Sequence, residues 1–582
     1  MENNQTLIAQ CEAKAKQWLS PAFDEETRKV VQAMIDKEDK NDLIESFYKD
    51  LEFGTGGLRG IMGAGSNRMN VYTVGMATQG FANYLKINFK DKEQISVVVC
   101  HDCRNNSRLY AETVANIFSA NGIRVYLFED MRPTPECSFA IRHLKAQAGV
   151  NITASHNPRE YNGYKAYWED GAQVLSPHDT GIIGEVNKVK VEDVKFDGNK
   201  ELIQIIGEEI DKIYLEQIKT ICIDPEVIKR QHDLKIVYTP LHGTGMMMIP
   251  QSLKFWGFDN VNCVKEQMVR DGNFSTVDRP NPEIAEALTL GLRDAKALDA
   301  DILMASDPDA DRVGMACKDD KGEWVLINGN QTCLLFLWYI ITNRQAVGKM
   351  QPTDFIVKTI VTTEVIAKIA AKQHIEMRDC YTGFKWIARE IAVSEGEKQY
   401  IGGGEESYGF LAEDFVRDKD AVSACSLLAE ICAYAKDHGK TLYDILMDIY
   451  LEYGYSNEFT INVERPGKSG AEEIQNMMRN FRENPPLELG GSKVCIWKDY
   501  KTLEVRKADG SIEKLDMPAT SNVLQWFCDD DTKVSVRPSG TEPKIKFYLE
   551  VKDIMKEAND YKICEERARK KIAAIKKSLN VD

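Results

Sequence analysis

No stretch of this chain stays apolar long enough to cross a bilayer. The longest run, Cys333 to Ile341, falls well short of the roughly 20 residues that a spanning helix needs. The opening MENNQTLIAQCEAKAKQWLS lacks both a basic leader and an apolar h-region, so no signal peptide is expected. A basic excess is also missing: 90 acidic residues outnumber 74 basic ones, for a formal charge of −16. Such a surface repels nucleic acid and anionic membrane, and an anionic substrate must therefore meet a locally basic pocket. Cys100 and Cys103 have CxxC spacing, but no second CxxC completes a zinc set. The 14 cysteines are scattered, mostly in apolar or helical contexts, which suits reduced thiols in a cytoplasmic protein. No loop fits a nucleotide: GTGGLRG lacks the GK[ST] ending and has Arg59 where the last glycine of GxGxxG belongs, and IGGGEESYG has Ser407 at the third glycine position.

What is present is enough apolar sequence, 43% of 582 residues, for about three to five cored domains. Three segments share one plan, a β-branched strand running into a polar loop and then a helix-like stretch: ISVVVCHDCRNNS from Ile95, LKIVYTPLHGTG from Leu234 and DFIVKTIVTTE from Asp354. Their wide spacing suits successive α/β domains of similar design, not a solenoid. A polar helical region with Phe47 and Leu51 on its apolar face precedes them. After Gly454 the style changes to FTINV, AEEIQNMMRNFREN, VCIW and VSVR, the alternation of a small α+β domain. The expected division is 1–220 for the helical extension and first domain, 221–328, 329–454 and 455–582.

Chemistry concentrates in a few loops. An apolar strand ends at Ile152 and runs into Thr-Ala-Ser-His-Asn-Pro, which places Ser155 on a loop at a sheet end. Ala154 and His156 flank the serine, so there is no GxSxG elbow and no esterase signature. In MASDPDADRVG, Asp307, Asp309 and Asp311 alternate after a strand, a hard-oxygen set suited to Mg²⁺ and not to zinc. An EF-hand is ruled out, because Arg312 stands at the required glycine and Lys318 at the required glutamate. In VSVRPSGTEPKIKFYLEV, the Arg537 fork, the Ser539 and Thr541 hydroxyls and the Gly540 backbone form a candidate phosphate clamp. Each of these loops taken alone also reads as a surface turn.

Taken together, EFGTGGLRG, TASHNP, DPDADR, GEESYG and RPSGTEP resemble the signature segments of the α-D-phosphohexomutases. The resemblance implies three similar α/β domains around a shared cleft, plus a smaller C-terminal α+β domain. It implies that Ser155 carries a phosphoryl group and, with Asp307, Asp309 and Asp311, holds Mg²⁺. Lys165, Arg59 and Arg312 match the family's cations beside that group, and either Lys165 or His156 is the proton shuttle. Glu405 and Ser407 match its sugar-gripping residues, Thr382 and Gly383 another substrate loop, and Lys419 a substrate-contacting lysine. The implied reaction interconverts glucose 1-phosphate and glucose 6-phosphate through a bisphosphorylated sugar, with glucose 1,6-bisphosphate as activator and a hinged fourth domain. Mannose and pentose phosphates are alternative substrates, and a hydrolase and a sugar-phosphate sensor are the alternative classes. One departure is Cys103, in His101-Asp102-Cys103-Arg104, where relatives commonly have serine.

Overall fold

The computed structural model describes residues 2–54, 56–465, 467–539 and 544–581. Gly540 and Thr541 of the expected clamp lie outside them. Three helices, Glu2–Gln17, Glu25–Asp36 and Asn41–Phe47, form the N-terminal extension. Their apolar sides enclose Trp18, Phe23 and Phe47 around Tyr72 of the next domain. The Tyr72 hydroxyl donates to Asp24 at 2.6 Å, the same side chain that caps Glu25–Asp36 through the Thr27 N–H at 2.8 Å. One aspartate thus caps a helix and fastens the extension.

Three sheets repeat a plan. The first runs Gly57–Ile61, Tyr161–Trp168, Ala148–Ile152, Ser96–His101, Arg124–Phe128, Ile203–Ile206, and the second Trp324–Ile327, Val313–Lys318, Ile302–Ser306, Ile236–Thr239, Val261–Cys263. The third runs Glu376–Cys380, Asp354–Thr359, Gln399–Gly404, Phe410–Leu411. The three strands that share a sequence plan are the middle members of a parallel trio in each sheet. Helices cover both faces, which is why Ser96–His101 and Asp354–Thr359 are buried along their whole length and read as continuous apolar runs. In each sheet one outer strand of the trio then turns back antiparallel: Ala148–Ile152 into Tyr161–Trp168, Ile302–Ser306 into Val313–Lys318, and Gln399–Gly404 into Phe410–Leu411. The loops at these reversals are TASHNP, DPDADR and EESYG. Lys165, which the sequence suggests as the end of the serine loop, therefore stands on the returning strand.

The fourth unit is an eight-stranded antiparallel sheet with the helices Gly467–Glu483 and Tyr561–Leu579. Its hairpin Glu504–Lys507/Ile512–Lys514 carries too many charges to show strand periodicity. Lys533 anchors this unit to the third sheet: its buried ammonium donates to the Thr362 carbonyl at 3.0 Å and pairs with Glu364 at 2.7 Å and Glu550 at 3.0 Å. Gln525 donates to the Ile360 carbonyl at 2.7 Å beside it. Lys533→Ala is expected to lower unfolding stability by about 3 kcal/mol, the lower end for a broken buried pair because Lys552 still faces Glu550. The check is the urea midpoint. Among the described residues no helix is long and apolar enough to cross a membrane.

Candidate active site

Ser155 sits at the first of the three reversals, 3% exposed, with a left-handed φ of 51°. A non-glycine residue holds that conformation only when its surroundings fix it. Arg104 supplies the fixing. Its buried guanidinium pairs with Asp102 at 3.1 Å and donates to the carbonyls of Pro158 at 2.9 Å and Tyr161 at 3.1 Å. Its other Nη donates to the carbonyls of Ser155 and Asn157. The Ser155 N–H donates to Thr153 Oγ1 at 2.9 Å. Cys103 is buried in an apolar cluster with Met131 and Phe274, and Ser107 supplies the hydroxyl that donates to Asp102, at 2.6 Å.

So held, the Ser155 hydroxyl donates to Asp307 Oδ2 at 2.9 Å and lies 3.1 Å from His156 Nδ1. Asp307 meets the serine and not the histidine, so the three do not form a hydrolase triad. Asp307, Asp309 and Asp311 are all buried and each offers an oxygen within 4.8 Å of the others. They form the one such group of three metal-ligating side chains among the described residues, and Cys100 and Cys103 belong to none. Asp307 Oδ1 accepts the N–H groups of Asp311 and Arg312, both at 3.1 Å. Asp309 Oδ2 accepts from Thr134 at 2.8 Å and Lys165 at 2.7 Å, and Asp311 Oδ2 accepts from Lys165 at 2.9 Å and Lys419 at 3.0 Å. The second oxygens, Asp309 Oδ1 and Asp311 Oδ1, are buried with no partner. Buried carboxylate oxygens are costly to leave unmatched, so two orphans side by side fit a hard cation.

Charge is unevenly shared in this nest. Burial, reinforced by Asp309 and Asp311, pushes the Asp307 carboxyl well above its usual range. Burial works against Asp311 too, but Lys165, Lys419 and Arg312 outweigh it and hold that carboxyl below the usual range. The Lys165 ammonium, in spite of burial, is held above its ordinary value by Asp309 and Asp311. His156 is pushed well below its ordinary value by burial and then by Arg312 and Arg59. In this state Lys165 is a cation and His156 a neutral ring. Arg312 pairs with Glu283, and Arg59, on the strand Gly57–Ile61, reaches Asn157 of the serine loop at 3.3 Å.

The third reversal brings two more predicted segments together. The buried Glu405 carboxylate accepts the Gly383 N–H at 2.8 Å, joining the Thr382-Gly383 turn to the Glu405–Ser407 loop. Gly409 lets Lys419 pass: a Cβ there would lie 2.1 Å from Lys419 Cδ. Lys419 thus spans the sugar-loop candidate and Asp311. Glu406 is pushed up to about 7 by burial and the neighbouring Glu405. On the fourth sheet Arg537 stands opposite Lys546. Burial, then Lys544 and Arg537, lower the Lys546 ammonium against the pull of Glu406; burial and Arg537 lower Lys385 against Asp179. Arg537 thus bears on both lysines, and like charges set against one another are relieved by an anion. The Ser539 N–H is used on the Lys544 carbonyl at 2.7 Å. Among the described residues no hydrogen bond or ion pair links Arg537 to the serine or the aspartates.

Sequence reasoning missed Thr134, Arg104, Lys385 and Lys546. Thr134 acts 175 residues from Asp309 and leaves no local signal. The other three lie inside segments already singled out, and their chemistry as cations was the available clue.

Family models carrying the descriptions phosphoglucomutase/phosphomannomutase, alpha/beta/alpha domains I, II and III match residues 50–193, 212–322 and 328–453, in that order. The chain belongs to the α-D-phosphohexomutase family. A phosphoglucomutase of Staphylococcus haemolyticus is 36% identical to this family member over 512 residues, 87% of this chain and 91% of that one. One from Staphylococcus aureus strain MRSA252 is 36% identical over 541 residues, 92% and 95% of the two chains. The same fold appears in parafusin, a Paramecium phosphoglucomutase, in its open form (TM-score 0.67, 18% identity, 92% of this chain and 95% of that one). It appears again in a phosphoglucomutase/phosphomannomutase family protein of Burkholderia thailandensis (TM-score 0.65, 18% identity, 90% and 97%).

Proposed function

We propose that this phosphohexomutase is a phosphoglucomutase that interconverts glucose 1-phosphate and glucose 6-phosphate by lending a phosphoryl group from Ser155. The observation that carries the reading is the Ser155 hydroxyl, 2.9 Å from Asp307, in a nest where Asp309 and Asp311 each keep an unmatched buried oxygen. Asp307, Asp309 and Asp311, with an oxygen of phosphorylated Ser155, would hold Mg²⁺, which neutralises charge on a transferring phosphoryl group.

The residues of the chain divide the remaining work. Arg104 and Thr153 fix the serine turn, so the Oγ does not have to search for its position. Arg312, Arg59 and Lys419 place positive charge around it, where charge grows during transfer. Glu405, with the Thr382–Gly383 turn and Ser407, accepts and donates to sugar hydroxyls. Arg537, Lys546 and Lys385 keep the phosphate that is not reacting, while the sugar turns over and presents its other end. His156 Nδ1 accepts a hydroxyl proton near the serine. Lys165 can do so only once its two carboxylates are engaged elsewhere. Domain four, on its Lys533 anchor, would open and close over the cleft, and glucose 1,6-bisphosphate would restore the serine phosphate. The 14 unpaired cysteines suit a reducing cytoplasm.

The test is turnover of glucose 1-phosphate with Mg²⁺, reading glucose 6-phosphate against free phosphate. Glucose 6-phosphate as product supports the mutase, and free phosphate alone overturns it. Faster turnover of mannose 1-phosphate or ribose 1-phosphate would move the substrate assignment within the same mechanism. Independently of activity, Mg²⁺ at about a hundred times its Kd is expected to raise stability by about 2.7 kcal/mol. Differential scanning calorimetry should show that gain in the wild type after chelation and Mg²⁺ return, and not in Asp309→Ala.

A further inference from the structure

Asp418, 1% exposed, lies just ahead of the helix Ala421–Asp437 and next to the candidate substrate lysine Lys419. Its two oxygens face different partners. Oδ2 accepts from two side chains of the first domain, the Tyr167 hydroxyl at 2.9 Å and Gln173 Nε2 at 3.0 Å. Oδ1 accepts twice from Lys419, from the backbone N–H at 2.9 Å and from the ammonium at 3.2 Å. The same ammonium reaches into the second domain, where Asp311 Oδ2 lies 3.0 Å away. Lys419 is therefore divided between two carboxylates, one inside the aspartate nest and one outside it.

The other lysine of the nest has no such choice. Both ion pairs of Lys165 fall inside it, with Asp309 at 2.7 Å and Asp311 at 2.9 Å. Asp311 Oδ2 thus holds two ammonium groups, and a divalent cation arriving on that carboxylate sets further positive charge beside them. Like charges so close in a buried site repel strongly. Only Lys419 has a carboxylate to withdraw to. Its stem passes Gly409, where a Cβ would lie 2.1 Å from Cδ, so a change confined to the end of the side chain moves the ammonium between its two partners. Asp418 stays outside the nest, because Tyr167 and Gln173 hold its far oxygen.

We propose that Asp418 is a positioning residue that draws the Lys419 ammonium off Asp311 and thereby sets how tightly the aspartate nest takes a divalent cation. The inference rests on the proposed Mg²⁺ role of Asp311. Asp418→Asn isolates the effect. It keeps an oxygen for Tyr167 and Gln173 but turns an amide NH₂ toward Lys419, so that donor faces donor. The ammonium is then driven back onto Asp311, where it competes with the cation.

Isothermal titration of the full chain with Mg²⁺ is the test, comparing wild type, Asp418→Asn, Lys419→Met and the double variant. Asp418→Asn is expected to weaken Mg²⁺ binding by roughly tenfold, about 1.4 kcal/mol. Lys419→Met removes the competitor and should bind Mg²⁺ at least as tightly as the wild type. Adding Asp418→Asn to Lys419→Met should then cost about twofold or less, the mark of a shared partner. Equal losses in both backgrounds would trace the effect to the missing carboxylate charge alone and overturn the proposal. Weaker binding in Lys419→Met would overturn it too, even if Asp418→Asn does not fold. Tyr167→Phe cuts a tie between domains but spares the lysine pair, so it should lower the thermal midpoint of the metal-free protein and leave the Mg²⁺ Kd within about twofold. A Kd moved as far in Tyr167→Phe as in Asp418→Asn would show that Asp418 only joins domains. No Mg²⁺ binding in the wild type would overturn the metal reading and this inference with it, whereas binding that Asp418→Asn leaves unchanged overturns the inference alone.

Discussion

Ser155→Ala is expected to reduce turnover of glucose 1-phosphate by about four orders of magnitude or more, some 5.5 kcal/mol at 1.36 kcal/mol per tenfold. The reason is specific to the proposed group transfer: without the oxygen that would store the phosphoryl group, the remaining cations have nothing to pass it to and from. Loss of fold is not an adequate alternative, because the side chain donates only to Asp307 and neighbours His156, and the turn is held by Arg104 through backbone carbonyls. Ser155→Gly sharpens the test. Glycine adopts φ of 51° without steric cost, so this variant should match or exceed the wild-type thermal midpoint and be equally inactive. Intact-mass spectrometry should find a phosphate adduct on the turned-over wild type and on neither variant. Near-normal turnover in either variant would refute the covalent route.

Arg104→Ala should damage stability and rate together. The substitution strips a buried carboxylate, Asp102, of its cation, takes the arginine donor from the carbonyls of Ser155, Asn157 and Tyr161, and leaves the Pro158 carbonyl only the Tyr161 N–H. Uncompensated buried charge and carbonyls put the stability loss near the top of the range for breaking a buried pair, about 4–5 kcal/mol. Arg104→Lys separates the two effects. A lysine keeps the charge but cannot offer a planar fork to four carbonyls, so most of the stability should return while turnover stays roughly a hundredfold down, the scale expected when a nucleophile is misplaced by about 1 Å. Urea melts and steady-state rates on the two variants decide this, and added guanidinium should partly rescue Arg104→Ala. Wild-type turnover in the lysine variant would show that the fork does not position the serine.

The legible parts of this molecule were those written locally. Each parallel trio betrays itself by β-branched runs such as Val97–Val99, because both faces of the strand are covered. The Asp307–Asp311 alternation announces oxygen chemistry, because three carboxylates so close need a cation. What stayed hidden depends on distance along the chain. That Lys165 would stand on a strand and reach Asp309 is a matter of register with Asn151, which no residue of the loop encodes. Arg104 reads as one more charged residue until the fold places it under four carbonyls. The charged hairpin Glu504–Lys507/Ile512–Lys514 defeated periodicity because it ends the fourth sheet, with Ile512–Lys514 an edge strand exposed along its whole length.

The three reversals, one per sheet, have a consequence for how this chain matures. Synthesis delivers the serine first, the aspartates some 150 residues later and Lys419 later still, and domains fold as units in roughly that order. A nascent first domain can shape its hairpin completely and, under the proposed mechanism, would still be inert, because the aspartates and Lys419 have not yet emerged. On the proposed role of Ser155, phosphate on that hydroxyl would be a seal applied only to finished molecules, and its occupancy would report how much of a preparation has been assembled to the end.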